Sequence, residues 1–335
     1  MRSPALGPTL ALALMAALST MASPSTSSAQ DAPVLPVFSE EVSVQWISVP
    51  TVLAATWPPD LALESDHFEL WVDDAPVAIE GFDEWQAPFG LLFAQDLSGS
   101  MAIGNKLELG SLALHVLGAL AEDGDQLAVV TFAGERVDLQ VAFTSDEQAL
   151  RAAPAGWGGY GTTALRDALA ALPDFARTTD RPRRAVVLVT DGIDNASSVP
   201  IAEVQALLAG EGLPLYVLDV DTDSDERPAL EDGRDEGMGL AELAAASGGR
   251  RLRVSSPLEA QSAARAIVSD LRHQILLSFT TDSAGEPALR RIEVSLLGTT
   301  DGLVHRSRYF GPPPGHVLSV SESANNSLTK KKEKP

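Results

Sequence analysis

The sequence predicts an α/β fold: a doubly wound, mostly parallel sheet inserted in a small β domain built by the N- and C-terminal flanks. Two observations carry this. Between Phe89 and Val254, short unbroken apolar runs alternate with helical segments, the pattern of a parallel sheet buried on both faces. On either side of that region the text is strand-like, rich in β-branched and aromatic residues. Two β-rich flanks around an α/β centre are most simply one β domain interrupted by an insertion.

The chain has 335 residues, of which 45% are hydrophobic, so a sizeable core can be buried. Residues 1–29, "MRSPALGPTLALALMAALSTMASPSTSSA", read as a cleavable signal peptide. Arg2 supplies the basic start, and Thr9 to Leu18 the apolar stretch, too short to span a bilayer. Ser27 and Ala29 are the small residues before a cut at Ala29/Gln30; a cut after Ala22, or a disordered leader on a cytosolic protein, are the alternatives. The expected location is therefore secreted, or periplasmic and cell envelope, with no membrane span. No cysteine occurs, which rules out disulfides, thiol metal sites and a lipidated N-terminal Cys. The formal net charge of −22 argues against nucleic-acid binding, which needs a basic surface, and favours attraction of cations.

The N-terminal β segment is expected over residues 38–85. It holds "VSVQWISVPTVLAA" and a hairpin, Phe68 to Val72 and Val77 to Phe82, turned at Asp73-Asp74. Trp46, Trp57, Trp71 and Trp85 lie in it and read as a small β core. The α/β domain is expected over 88–255. Its apolar runs are "GLLFAQD", "QLAVVTFA", "VDLQVAF", "RAVVLVTD" and "LPLYVLDV", with helices over "KLELGSLALHVLGALAED", "TALRDALAALPDFART" and "PIAEVQALLAGEG". A helix and three more strands, "QILLSFTTD", "LRRIEVSLL" and "GLVHRSRYF", fill 257–312, and a polar tail with four lysines over 313–335 reads as disordered.

In open α/β sheets ligands bind beyond the carboxyl ends of the strands. Three such ends carry oxygen-bearing residues. Asp96, Ser98 and Ser100 alternate in the turn after "GLLFAQD"; Thr162 and Thr163 sit in a glycine-rich loop that opens a helix; Asp191 ends "VVLVTD". Hard oxygen ligands of low total charge suit Mg²⁺, which keeps several waters. Each piece also has a plainer reading: Asp96, Ser98 and Thr163 as helix caps, and Asp191-Gly192 as a turn.

The three motifs together resemble the von Willebrand factor A domain. Asp96-Leu97-Ser98-Gly99-Ser100, a threonine before a helix, and Thr190-Asp191-Gly192 stand in the order and spacing of its metal-ion-dependent adhesion site (MIDAS), over roughly Phe89 to Val254. The resemblance implies a Rossmann-like sheet and a Mg²⁺ (or Mn²⁺ or Ca²⁺) site. Ser98, Ser100 and Thr163 would bind the metal directly, with Thr162 the fallback, and Asp96 and Asp191 would act through water. It further implies an adhesive, non-enzymatic function in which an exposed Asp or Glu of a partner protein completes the metal shell. The flanks, "LESDHFELWVDDAPVAIEGF" and "LRHQILLSFTTDSAGEPALRRIEVSLLGTTDGLVHRSRYF", resemble a bacterial exported "VWFA-related" group, with Ile275 in place of a tyrosine and Arg308 in place of a glycine.

Other features point elsewhere. The acidic loop Asp219 to Gly237 carries nine carboxylates and two arginines. Glu226 stands where an EF-hand needs glycine, so the loop reads as a solvated insertion rather than a calcium loop. "DVDTD" resembles the nucleophile motif of haloacid-dehalogenase-type phosphatases, giving a hydrolase alternative through Asp219 and Asp221, but the downstream lysine and acidic pair are missing. The five histidines, His67, His115, His273, His305 and His316, show no metal-ligand spacing, and there is no nucleophile elbow or phosphate loop. The first alternative to the adhesive function, ahead of the hydrolase, is a structural or assembly protein that uses a metal only for folding.

Overall fold

The computed structural model describes residues 45–53, 63–84, 87–220, 239–282 and 285–315. The leader, Trp57, Trp85, the acidic loop from Asp221 onward and the tail from His316 lie outside the described residues. The N-terminal flank gives β1 (Trp46–Leu53), β2 (Phe68–Val72), β3 (Ala75–Val77) and β4 (Gly81–Glu84). Next come β5 (Phe89–Asp96), α1 (Lys106–Ala119), β6 (Gln126–Ala133), β7 (Arg136–Thr144), α2 (Glu147–Ala152), α3 (Leu165–Ala176) and β8 (Arg183–Thr190). The α/β region ends with α4 (Ile201–Glu211), β9 (Leu215–Val220), α5 (Leu240–Ser247), β10 (Arg251–Val254) and α6 (Pro257–Arg272). The C-terminal flank gives β11 (Gln274–Thr280), β12 (Ala288–Leu296), β13 (Leu303–His305) and β14 (Arg308–Gly311).

The central sheet has six strands in the order β10-β9-β8-β5-β6-β7. All neighbours are parallel except β7, which returns antiparallel along β6. Grouped with the buried apolar runs, "VDLQVAF" is expected to be buried on both faces, and here the structure differs. β7 is an edge strand, with Leu139 49% exposed. Only Gly134 and Glu135 link it to β6, a tight hairpin that cannot make the long crossover a parallel pair requires. Residues on β5 alternate between two cores, as the two-residue strand period dictates. Phe89, Leu91 and Phe93 pack with Leu109 and Leu114 of α1 and Ile267 of α6. Leu92 and Ala94 pack with Leu169 of α3, Leu208 of α4 and Leu243 of α5.

The chain adds β6 and β7 on one side of β5, then crosses to build β8, β9 and β10 on the other. The reversal of direction puts the switch point at the carboxyl end of β5, the ligand position in such sheets.

The flanks interleave. β1 pairs antiparallel with β11, Trp46 facing Thr280, and β2 with β12, Leu70 facing Val294. Two four-stranded sheets, β13-β1-β11-β4 and β14-β12-β2-β3, share one core that includes Val49, Leu70, Leu277, Phe279, Val294 and Tyr309. Asp73 and Asp74 turn the β2–β3 hairpin at φ of 49° and 68°, a left-handed conformation that aspartate tolerates.

Two arginines lie where the flank domain meets the α/β region. Asp125, buried just before β6, accepts the Phe89 N–H at 3.0 Å and ion-pairs with Arg272 at the end of α6. The Arg272 guanidinium also lies 4.6 Å from the Phe89 ring centroid. The points where the chain enters and leaves the α/β region are thus held by one carboxylate. Arg306, buried between β13 and β14, donates to the carbonyls of Ser48 at 3.2 Å and Arg308 at 2.8 Å, and to that of Ala209 near the end of α4. There a cation meets the negative end of a helix dipole. Burial pushes the Arg306 guanidinium down to about 10.

Candidate functional site

Asp96 ends β5 with no solvent exposure. Its Oδ1 accepts the Ser98 N–H at 2.8 Å, and its Oδ2 accepts the Thr190 hydroxyl at 2.8 Å from the end of β8. One carboxylate therefore joins two neighbouring strand ends. Burial pushes it up to about 6, against the hydrogen bonds from Ser98 and Thr190 and with a small added push from the charge of Asp191. Beyond Asp96 the chain winds through a short 3₁₀ turn, Gly99–Ala102, fixed by the fully buried Met101. The turn brings Ser98 Oγ to 3.2 Å from Ser100 Oγ, so two hydroxyls address one point.

The loop before α3 is stitched to that turn and to the β6–β7 link. The Gly99 N–H donates to Gly161 O at 3.1 Å, the Tyr160 N–H to Leu97 O at 2.8 Å, and the Gly134 N–H to Thr162 O at 2.7 Å. Thr163 is buried and Thr162 exposed. The loop after β8 clasps Thr163 from the other side. Asn195 Oδ1 accepts the Thr163 N–H at 2.9 Å, and the Thr163 carbonyl accepts the N–H groups of Asn195 and Ala196 at 3.0 Å. Asp191, 3% exposed, accepts the Ile193 N–H at 3.3 Å and the Lys106 ammonium at 3.1 Å. Asp194 pairs with Arg166 at 2.8 Å, so it and Asn195 shape the turn, as their positions in the sequence suggest.

Neither Ser98 nor Thr163 is the N-cap of the α-helix that follows it. Ser98 precedes its 3₁₀ turn without a side-chain cap bond, and the N-cap residues of α1 and α3 are Asn105 and Ala164, neither of which caps through its side chain. The sequence does not single out Lys106: a lysine opening a helix looks like a solvated surface residue, and no local pattern marks it as buried. Trp157 stacks on Phe93 with centroids 6.3 Å apart and so belongs to the support of the loop. Ile103 and Tyr160, 52% and 55% exposed, stand on two of the loops that frame the cleft. Asp219 is 7% exposed and held by Arg251 at 2.7 Å, and the Asp221 of the hydrolase reading lies outside the described residues.

Residues 91–193 match the von Willebrand factor type A domain family. The chain contains a von Willebrand factor type A domain. Among solved structures, the chain is similar to an aerotolerance-related membrane protein from Bacteroides fragilis, at 23% identity over 55% of this chain and 98% of that one, with a TM-score of 0.43. It is also similar to a von Willebrand factor type A protein from Catenulispora acidiphila, at 13% identity over 82% and 74% of the two chains and a TM-score of 0.46. A third similarity is to the PilB minor pilin from Streptococcus sanguinis, at 13% identity over 57% and 63% of the two chains and a TM-score of 0.42. No curated protein sequence matches the chain significantly. Among the described residues no helix is long and apolar enough to cross a membrane.

The donors that the A domain gathers are hydroxyl and carboxylate oxygens without sulfur or imidazole, a set that fits a hard divalent cation. Among the described residues no group of three or more His, Cys, Asp or Glu is placed to hold a metal. The shape of the cleft depends on a close approach at Gly159. A Cβ there would lie 2.7 Å from Ala102 Cβ, Ala102 N and Ser98 O. Gly159→Ala is expected to push the two loops apart. It should weaken Mn²⁺ binding about tenfold or more, although no ligand is changed; titration of Mn²⁺ by electron paramagnetic resonance checks this, and unchanged affinity would show that the approach is irrelevant to the site.

Proposed function

We propose that this A domain is a metal-ion-dependent binding module of an exported protein, and that it captures an acidic side chain of a partner protein in adhesion or assembly at the cell envelope. Mg²⁺ is the natural ion, with Mn²⁺ or Ca²⁺ as substitutes, held by Ser98, Ser100 and Thr163 directly and by Asp96 and Asp191 through water. The observation that carries the reading is the meeting of three strand-end loops at the switch point of the sheet, with the two serine hydroxyls 3.2 Å apart. When bound, the ion supplies positive charge that mainly neutral direct ligands leave uncompensated, so a carboxylate from outside is attracted. Ile103 and Tyr160 add exposed apolar surface beside it, suited to a partner segment that carries apolar residues next to its Asp or Glu.

The test is retention of the protein on arrayed peptides that differ only in Asp/Glu against Asn/Gln, in Mg²⁺ and in chelator. Retention that needs both Mg²⁺ and the carboxylate, and that falls at least tenfold in Ser98→Ala, is expected. Equal retention in chelator would overturn the reading. The structural alternative, a metal used only for folding, draws on the dense backbone hydrogen bonding among the three loops. It is favoured if Ser98→Ala lowers stability and leaves peptide retention unchanged.

A further inference from the structure

Lys106 opens α1, where a buried lysine is doubly unfavourable. The first turn of a helix presents the positive end of its dipole, which disfavours a cation, and lysine is almost never fully buried unless paired. Yet Lys106 is 1% exposed. Its side chain reaches into the cleft, where Nζ donates to Asp191 Oδ2 at 3.1 Å and to the Ser100 carbonyl at 3.4 Å. Both side chains of the Lys106–Asp191 pair are out of solvent, at 2% and 0% exposure. The ammonium therefore bridges the turn after β5 and the end of β8, two of the three loops that form the site.

We infer that Lys106 is a resident counter-cation of this cleft, with two effects. It holds the Ser100 turn and Asp191 together when no divalent ion is present, and it lowers the affinity for that ion by supplying part of the same positive charge. The inference rests on the reading of the cleft as a cation site. Among the described residues, with Asp96 and Asp191 ionised, Lys106 brings the local charge from two negative to one negative. A divalent ion then leaves the cleft one unit positive instead of neutral. The residue that weakens metal binding thus strengthens the pull on an incoming carboxylate. Lys106 is a positioning and charge-setting residue, and it need not touch the partner.

The experiment uses the full chain with Lys106→Met and Lys106→Gln, beside wild type and Asp96→Ala. Mn²⁺ affinity is read by electron paramagnetic resonance, and unfolding midpoints are read in chelator and in saturating Mn²⁺. In the Lys106 variants the chelator midpoint should fall, Mn²⁺ should bind about tenfold tighter or more, the scale set by one nearby charge in a partly screened site, and Mn²⁺ should raise the midpoint more than in wild type. A folded Lys106 variant with Mn²⁺ affinity equal to or below wild type overturns the inference and leaves the cation site standing. Failure of both variants to fold in saturating Mn²⁺ also overturns it, because the ion would replace the missing charge. Mn²⁺ binding by Lys106→Met but not by wild type supports the inference and removes the metal-dependent reading of the native protein. Absence of binding in wild type and in the folded Lys106 variants overturns both.

Discussion

Asp96→Ala is expected to abolish the rise in unfolding midpoint that Mg²⁺ or Mn²⁺ gives the wild type. An ion that binds only the folded state stabilises it by about 2.7 kcal/mol at a concentration one hundred times its dissociation constant. For a domain of this size that is a shift of several degrees, on the order of 2–4 °C per kcal/mol. The variant loses this because Asp96 both contributes charge to the cleft and fixes its frame, through the Ser98 N–H and the Thr190 hydroxyl. Its midpoint in chelator should fall as well, since two buried donors lose their acceptor at a cost of about 1–3 kcal/mol each. Scanning calorimetry of both proteins with and without metal separates the two effects. An equal metal response in both would move the bound ion away from this cleft, and no response in wild type at millimolar metal would count against the adhesive reading and against a metal used for folding alike.

Asp125→Ala should be the most destabilising single change at the junction, at about 3–5 kcal/mol, the usual cost of removing one partner from a buried ion pair. It leaves Arg272 without its buried carboxylate and the Phe89 and Glu122 N–H groups without their acceptor. The pH dependence has a definite sign. Burial pushes the Asp125 carboxyl up, but Arg272 and the two N–H groups more than offset this and hold it below its usual 3.8. A carboxyl lowered by folding contributes stability that is complete above the unfolded value and is lost as pH falls through the folded one. The gap between wild type and Asp125→Asn should therefore be constant from neutral pH down to about 4 and shrink below that. Urea unfolding at pH 7 and pH 3 measures it. A cost under about 1 kcal/mol at pH 7 would mean that the cores alone hold the junction.

What could be read from the sequence was local. The apolar runs of β5, β6, β8 and β9 gave the sheet because burial on both faces leaves an unbroken signature over consecutive residues. Asp96, Ser98, Ser100, Thr163 and Asp191 stood out because each follows such a run or opens a helix. The edge position of β7 was marked only by Asp138 and Gln140, which interrupt its apolar residues, and the two-residue link to β6 decides the pairing. The paired charges did not show. Lys106 and Asp191 are 85 residues apart, and Asp125 and Arg272 are 147 apart. A lone Lys, Asp or Arg in text is by default a surface group; only the fold brings its partner to it and takes the pair out of water.

The placement of β5 has a mechanical meaning. The strand begins at Phe89, where the A domain joins the flank domain, and ends at Asp96 in the cleft. A load applied between the cleft and the flank domain would pass through this strand. It is hydrogen-bonded on both sides, to β6 over Gly90–Asp96 and to β8 over Phe89–Gln95. Pulled lengthwise, those bonds would be sheared together instead of being peeled apart one after another.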